Sequence, residues 1–196
     1  FFDTETSGRS TAVGSNAGTV TNVTGGCYTG SSCANGGTAN LSASATFSNS
    51  PYSWDIGTTT SNTWVIFAGK TRPMLGTEYT SNSESTIPIY VSKITNAHSL
   101  QLIGLNATTL AASYTLGMDV DASGTSNAND VWGTSMSNSR AGFVPIGDST
   151  TRFTGSITGG YTVKNIYINQ PSGINVGLFG YADTTASISQ IGVTGL

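Results

Sequence analysis

The chain has 196 residues, of which 37% are hydrophobic and 9% charged, and its formal net charge is −3. Seven lysine and arginine residues are too few for the basic surface that nucleic-acid binding requires. The hydrophobic content excludes a disordered polyelectrolyte, and no apolar run approaches the roughly 18 residues of a membrane-spanning helix. We therefore expect a folded protein, rich in Ser, Thr, Asn and Gly, that neither binds nucleic acid nor inserts into a membrane.

Two cysteines lie in a glycine-rich segment near the start of the chain. Cys27 and Cys33 are separated by five residues, and two cysteines alone do not complete a structural zinc site. We interpret them as a local disulfide, which would indicate an oxidising compartment, and the alternative is a pair of buried thiols. The first residues carry no secretory signal segment, so we interpret the chain as a processed protein or a segment of a longer one.

The next hundred residues alternate short apolar segments with polar ones. Residues 41–47 predict either a strand or one short helical turn, and residues 63–68 predict a strand buried on both faces. Residues 76–88 are polar and acidic, which is typical of a linker or a long surface loop. We place a boundary between residues 1–80 and residues 81–196.

Short strands dominate the second part of the predicted fold. Residues 95–110 predict a short helix or turn beside a strand at 100–105, and residues 114–121 alternate as one strand with Tyr114, Leu116, Met118 and Val120 on one face. Further strands are predicted near residues 143–147, 153–157, 163–169, 176–180 and 188–193.

Two of these segments resemble each other. Residues 163–169 and 188–194 share an aliphatic–polar–amide–Ile pattern at an offset of 25 residues (188 − 163). Such a period, carried by β-formers and glycine, indicates the stacked coils of a solenoid, in which Asn165 and Gln190 would form an amide ladder. The predicted core residues are Ile166, Ile168, Phe179, Ile191 and Val193.

The C-terminal motifs also resemble a known family. Residues 175–180, Asn-Val-Gly-Leu-Phe-Gly, followed by residues 186–195, resemble the GLUG repeat of filamentous-haemagglutinin-like bacterial surface adhesins. Residues 2–8 resemble the tail of such an array, and residues 64–75 resemble the segment that closes one. The resemblance implies that residues 1–80 end one array and residues 81–196 begin a second. It further implies an all-β, right-handed parallel β-solenoid with irregular loops and no chemistry; a β-sandwich is the alternative fold.

One segment has the spacing of a calcium loop. Within residues 119–130, oxygen-bearing side chains occupy loop positions one, three, five and twelve, and Gly124 lies at the turn. These ligands would be Asp119, Asp121, Ser123 and Asp130. The alternative is an acidic strand end that leads into a polar loop, and no other cofactor is predicted.

The sequence favours no enzyme. His98 is the only histidine, no Gly-x-Ser-x-Gly motif is present, and carboxylates are too sparse for a glycosidase or lyase face. We predict a segment of an extracellular bacterial adhesin or surface fibre, secreted or on the cell surface, with flanking segments, glycans or a host surface as partners. The alternatives are a carbohydrate-binding module, with Trp54, Trp132 and Tyr161 as an aromatic platform, and a subunit of a self-assembling filament.

Overall fold

The computed structural model describes residues 2–3, 25–27, 39–49, 52–59, 61–79, 93–127, 130–133 and 142–195. In these ranges the regular structure is mostly β-strand, with a few short helices. The strands are β1 (Phe2–Asp3), β2 (Gly25–Cys27), β3 (Ala39–Asn40), β4 (Ile56–Gly57), β5 (Trp64–Val65), β6 (Met74–Leu75), β7 (Lys93–Ile94), β8 (Ser113–Leu116), β9 (Val120–Asp121), β10 (Ser156–Thr158), β11 (Tyr161–Lys164), β12 (Ser187–Ile188) and β13 (Ile191–Thr194). The helices are α1 (Ser44–Ser48), α2 (Ala97–Leu102) and α3 (Ala107–Leu110), with 3-10 turns at Gly76–Tyr79 and Ser123–Ser126.

Two parallel ladders organise the second half of the chain. The first ladder has the strand order β12-β10-β8-β7, and the second has the order β13-β11-β9. Every pairing within both ladders is parallel. Parallel neighbours require a crossover between strands, so each ladder joins segments that are far apart in the sequence.

Each of three successive segments contributes one strand to each ladder, with a bend between the two strands. We call them turn one (residues 113–121), turn two (residues 156–164) and turn three (residues 187–194). Turn two pairs with turn one at an offset of 43 residues (157 − 114) and with turn three at an offset of 31 (188 − 157). Among the described residues, isolated parallel bridges also link Ile146 to Phe179 and Phe153 to Ala182.

This pairing contradicts the predicted repeat register. The second ladder aligns Val163 with Val193, an offset of 30 rather than 25 residues. Asn165 donates its backbone N–H to Thr194 O at 2.9 Å, whereas Gln190 O accepts from Gly160 N–H at 2.6 Å. The two amide side chains therefore lie at different corners of the stack, and the predicted ladder between Asn165 and Gln190 is wrong.

The core lies between the ladders and the two helices that precede them. Aligned residues such as Ile157 and Val163 are at most 1% exposed, and burying one such side chain contributes about 1.5–3 kcal/mol. Among the predicted core residues, Ile166 is buried. Ile168, Phe179 and Ile191 are partly buried and pack against the core. Val193 is 38% exposed, so that prediction is wrong: its strand is the outermost of its ladder.

Two predicted strands differ in the structure. Residues 114–121 form two strands rather than one, because the chain bends between β8 and β9. Met118 at the bend is 51% exposed and does not share the buried face of Leu116 and Val120. In place of the predicted strand at residues 100–105, the structure has the end of α2 at Leu102 followed by a turn. Asn96 accepts from Ser99 N–H and forms a capping box that starts α2, so the predicted short helix is confirmed but the strand predicted at residues 100–105 is wrong.

The first part of the chain forms smaller sheets. Residues 41–47 contain α1, the helical alternative of the two predicted. In the 63–68 segment only β5 is strand, parallel to β4 and antiparallel to β6; Val65 and Ile66 are buried. The antiparallel β5–β6 pair departs from a purely parallel arrangement.

The fold is thus mostly sheet, with open, largely parallel ladders and short helices. Val65 and Met74 belong to the same buried cluster as residues after 93. The proposed boundary at residues 80 and 81 lies outside the described residues, so the division into two arrays stays a prediction.

Candidate functional site

Among the residues that the structure describes, a concentrated group of titratable side chains surrounds His98. Its Nδ1 lies 2.5 Å from Glu78 Oε2, and its Nε2 lies 2.9 Å from Asp130 Oδ1. The three side chains are 28–30% exposed, and the His98 ring centroid lies 5.1 Å from that of the buried Trp132. We call these three charged residues the His98 cluster.

Electrostatics fix the protonation of this cluster. Hydrogen bonds to Asp130 and then to Glu78 raise the pKa of His98 to about 9, although burial acts in the opposite direction. Burial acts to raise the pKa of Asp130, but the hydrogen bonds from His98 and from Val131 N–H outweigh it and lower that pKa. At neutral pH His98 is therefore an imidazolium ion, and its two ring nitrogens face the side chains of Glu78 and Asp130.

Three distant segments bring the cluster together. Glu78 lies on the 3-10 turn Gly76–Tyr79, His98 near the start of α2, and Asp130 beside Trp132. Arg72 fixes the third segment, because its Nη1 donates to Asp130 O at 2.8 Å and its backbone N–H donates to Val131 O at 2.9 Å.

This geometry favours a structural role over a catalytic one. A general base needs a free lone pair near neutral pH, but both nitrogens of the His98 ring face carboxylate oxygens. The cluster therefore acts as an electrostatic clamp that ties the turn before residue 80 to the body after residue 93. The sequence gives little signal for it, because Glu78 and Asp130 lie 20 and 32 residues from His98.

The predicted calcium ligands have separate partners. Asp119 accepts from Lys164 Nζ at 2.6 Å and from Thr162 N–H at 2.9 Å, and the first of these bonds lowers its pKa most. Asp121 accepts from the N–H of Ser123 at 3.0 Å, while Asp130 is engaged by His98.

Within the described ranges, no group of three or more His, Cys, Asp or Glu side chains is arranged to hold a metal ion. Calcium binding by Asp119, Asp121, Ser123 and Asp130 stays a prediction. The same holds for the disulfide between Cys27 and Cys33, because Cys33 lies outside the described residues.

The predicted aromatic platform is not present. Trp132 is 0% exposed and its Nε1 donates to Gln101 Oε1 at 2.8 Å inside the core. Trp54 stacks on Trp64 at 4.9 Å and packs against a different buried cluster from the one that contains Trp132, and Tyr161 is 42% exposed on β11. A buried indole presents no face to a sugar, so the prediction that these three residues share a binding surface is wrong.

An open groove lies on another part of the surface. Its larger section has a volume of about 390 Å³ and is lined by apolar side chains such as Phe67 and Leu105; Lys70 and Asp148 are its charged residues. Asp148 accepts from the N–H groups of Thr151 and its neighbour, which lowers its pKa and keeps it ionised. A neighbouring section of about 230 Å³ shares Lys70 and Asp148.

Comparisons with known proteins give one informative similarity. The chain is 31% identical over 148 residues to halomucin from Haloquadratum walsbyi, an alignment that covers 70% of this chain and 2% of halomucin. Halomucin is a large surface glycoprotein of a haloarchaeon, and the similarity is compatible with an extracellular structural role. No family model matches the chain, and no solved structure matches it.

These findings support the prediction that the chain belongs to a surface protein, but they do not support the finer predictions of its family and source. Membership of the GLUG-repeat family and a bacterial source both stay predictions. Among the helices that the structure describes, none has the length and apolar character needed to cross a bilayer.

Proposed function

We propose that the chain is a structural segment of an extracellular adhesin or surface fibre, built as a right-handed parallel β-solenoid. The observation that carries this proposal is the stacking of turns one, two and three through two parallel ladders. In such a stack each turn covers the aliphatic side chains of its neighbour and bonds to its backbone, so the length of the stack grows with the number of turns.

The spacing between turns explains how the scaffold carries loops. Turns one and two are 43 residues apart, whereas turns two and three are 30–31 apart, yet the strand pairing is the same. Additional residues are therefore accommodated outside the ladders, as expected when loop length costs little free energy. The loop at residues 171–176 is exposed throughout, and Ile174 is 87% exposed there. Loops of this kind are the surfaces that we propose contact a glycan or a host surface.

The proposal assigns no reaction to the chain. Asp119 and Asp183 are tied into ion pairs with Lys164 and Arg152, and His98 is held between two carboxylates. These side chains stabilise local contacts, which is the use that a scaffold makes of its few charges.

Surface labelling of the source cells tests the proposal. An antiserum against the purified chain should label intact cells, and protease added outside should remove the signal. An antiserum against a cytoplasmic enzyme, which should label only permeabilised cells, is the control. Labelling of the chain that appears only after permeabilisation would contradict an extracellular role.

A carbohydrate-binding role is the second candidate, and the open groove with Lys70 and Asp148 is the observation that favours it. A glycan array probed with the chain and with the Lys70→Ala variant tests this role. Binding that is lost in the variant supports it, whereas equal signals or no signal from both proteins count against the groove.

A further inference from the structure

The chain contains three Asn-x-Ser/Thr sequons, which are acceptor sequences for N-linked glycans in secreted proteins. They begin at Asn22, Asn40 and Asn106, and the last two lie among the residues that the structure describes. A glycan of this kind is attached to the side-chain nitrogen Nδ2 of the asparagine. The contacts of that atom therefore decide which sequon the folded chain leaves open to a sugar.

The sequon at Asn40 forms an Asx turn between β3 and α1. Oδ1 of Asn40 accepts from the N–H of Ser42 at 2.9 Å and from the Ser42 hydroxyl at 2.8 Å. The backbone carbonyl of Asn40 accepts from the Thr46 hydroxyl at 2.6 Å and from the Ala43 N–H at 3.2 Å. These bonds hold Oδ1 toward the turn, so Nδ2 lies on the opposite side of the planar amide group.

Nδ2 of Asn40 donates to no atom among the described residues, and it is not buried. Asn40 is partly exposed, so the two N–H groups of this nitrogen face solvent. The turn alone does not account for the asparagine, because an aspartate would supply the same acceptor oxygen to Ser42. What the asparagine adds is an amide nitrogen that the described part of the fold does not use.

The sequon at Asn106 is engaged at both ends of its amide group. Oδ1 of Asn106 caps α3 by accepting from the N–H groups of Thr108 and Thr109. Its Nδ2 donates to Thr58 O at 2.8 Å and thereby ties α3 to the segment that follows β4. A sugar on this nitrogen would crowd the Thr58 carbonyl. The two described sequons thus differ at the atom that a glycan needs.

We propose that Asn40 carries an N-linked glycan and that Asn106 does not. The donor is an oligosaccharide on a lipid phosphate, and the enzyme is a glycosyltransferase of the exporting cell. A bond forms between Nδ2 of Asn40 and the anomeric carbon of the sugar, while the bond from that carbon to the phosphate oxygen breaks. The lipid phosphate leaves with the electron pair, and a base of the transferase takes one Nδ2 proton. This inference rests on the proposed extracellular function.

Burial of the rest of the sequon sets the order of transfer and folding. Leu41 is 4% exposed and Ser42 is 2% exposed, so a transferase cannot hold both residues once the chain has folded. Transfer therefore precedes the packing of Leu41 into the cluster that it forms with Phe47 and Ile66. In the folded chain the glycan projects from the turn through Nδ2 of Asn40.

Glycopeptide mass spectrometry of the chain purified from its source cells tests the proposal. Electron-transfer fragmentation keeps the sugar on its residue and therefore assigns each glycan mass to Asn40 or to Asn106. We expect most of the peptides that contain Asn40 to carry a sugar mass and those that contain Asn106 to be bare. Bare Asn40 peptides, or equal occupancy of the two sites, would overturn the proposal.

Matched substitutions in the source cells separate the glycan from the turn. Asn40→Asp keeps Oδ1 as the acceptor for Ser42 but removes Nδ2, so it should abolish the glycan in a chain whose tryptophan fluorescence remains native. Ser42→Ala keeps Nδ2 but removes the hydroxyl of the sequon, and it should abolish the glycan as well. Asn106→Asp, which keeps the α3 cap, is the control and should leave the occupancy of Asn40 unchanged. A sugar mass that persists in Asn40→Asp would overturn the assignment.

Surface labelling of the same cells separates the failure of this inference from the failure of the proposed function. If intact cells label for the chain but its Asn40 peptides are bare, the chain is extracellular and the glycan inference fails alone. If the chain labels only after permeabilisation, the extracellular function fails, and the glycan inference that rests on it fails with it.

Discussion

Replacement of His98 by glutamine should remove a pH-dependent part of the stability. The pKa of His98 is about 9 in the folded chain, against 6.5 for the free side chain. That difference of about 2.5 pH units corresponds to about 3 kcal/mol at 1.36 kcal/mol per unit. Because the side chains are nearly a third exposed, solvent screening reduces the expected contribution to about 2 kcal/mol.

The direction of this pH dependence follows from whether the folded or the unfolded state binds the His98 proton more tightly. The folded chain holds the His98 proton more strongly, so this stabilisation is complete below the unfolded pKa of 6.5 and is lost as the pH rises through about 9. Asp130 behaves oppositely. Its pKa is lowered in the folded chain, so its contribution is present above the unfolded value of 3.8 and disappears as the pH falls.

Denaturant unfolding of the natural chain and of His98→Gln, followed by tryptophan fluorescence, measures this effect. Between about pH 6 and about pH 9.5 the free energy of unfolding should fall by about 2 kcal/mol more for the natural chain than for the variant. The variant keeps every lysine and tyrosine, so the difference between the two curves removes the effect of their titration at alkaline pH. Two parallel stability curves would refute the assignment of the clamp to His98.

Four further substitutions test the core and a helix start. Ile157→Ala should lower the free energy of unfolding by about 2–4 kcal/mol, because Ile157 is 1% exposed between two turns. Val193→Ala should lower it by less than about 1 kcal/mol, because Val193 is 38% exposed. Equal losses from the two substitutions would contradict the stack. Gln101→Leu should cost about 2–5 kcal/mol because Gln101 Oε1 accepts from Trp132 Nε1 inside the core; an unchanged denaturation midpoint would disprove this role. Asn106→Ala should cost about 1 kcal/mol through loss of the α3 cap, and a loss within error would show that the cap contributes nothing.

The sequence predicted the type of fold better than its register. Apolar segments around Ile157 and Val163 were expected as short parallel strands, and the structure pairs them in that way. The match at an offset of 25 compared side-chain types and aligned Asn165 with Gln190. Both residues have left-handed φ values, 58° and 54°, but one follows β11 and the other precedes β13.

The stack aligns backbone conformations instead. Asn165 lies beside Gly195, with φ of 58° and 69°, and Gln190 lies beside Gly160, with φ of 54° and 69°. Glycine adopts this region without strain, while other residues do so at a cost. Residues of different chemistry therefore occupy equivalent corners, and a comparison of residue letters misses the equivalence.

The His98 cluster could not be predicted for a different reason. Its three residues come from three separate segments of the chain. These segments meet only through packing of residues that belong to no repeat. The sequence did indicate that His98 lacks a neighbouring nucleophile motif. It did not indicate that Glu78 and Asp130 would reach both ring nitrogens.

Hydrogen-bond scalar couplings and interstrand backbone contacts, measured by NMR on the isotopically labelled chain, test the stacked architecture most directly. We predict a coupling from the Ser189 amide to the Ile157 carbonyl and parallel contacts between Val163 and Val193. Contacts of Val163 with Ile188, as the 25-residue offset requires, or an antiparallel pattern between the same strands, would contradict it.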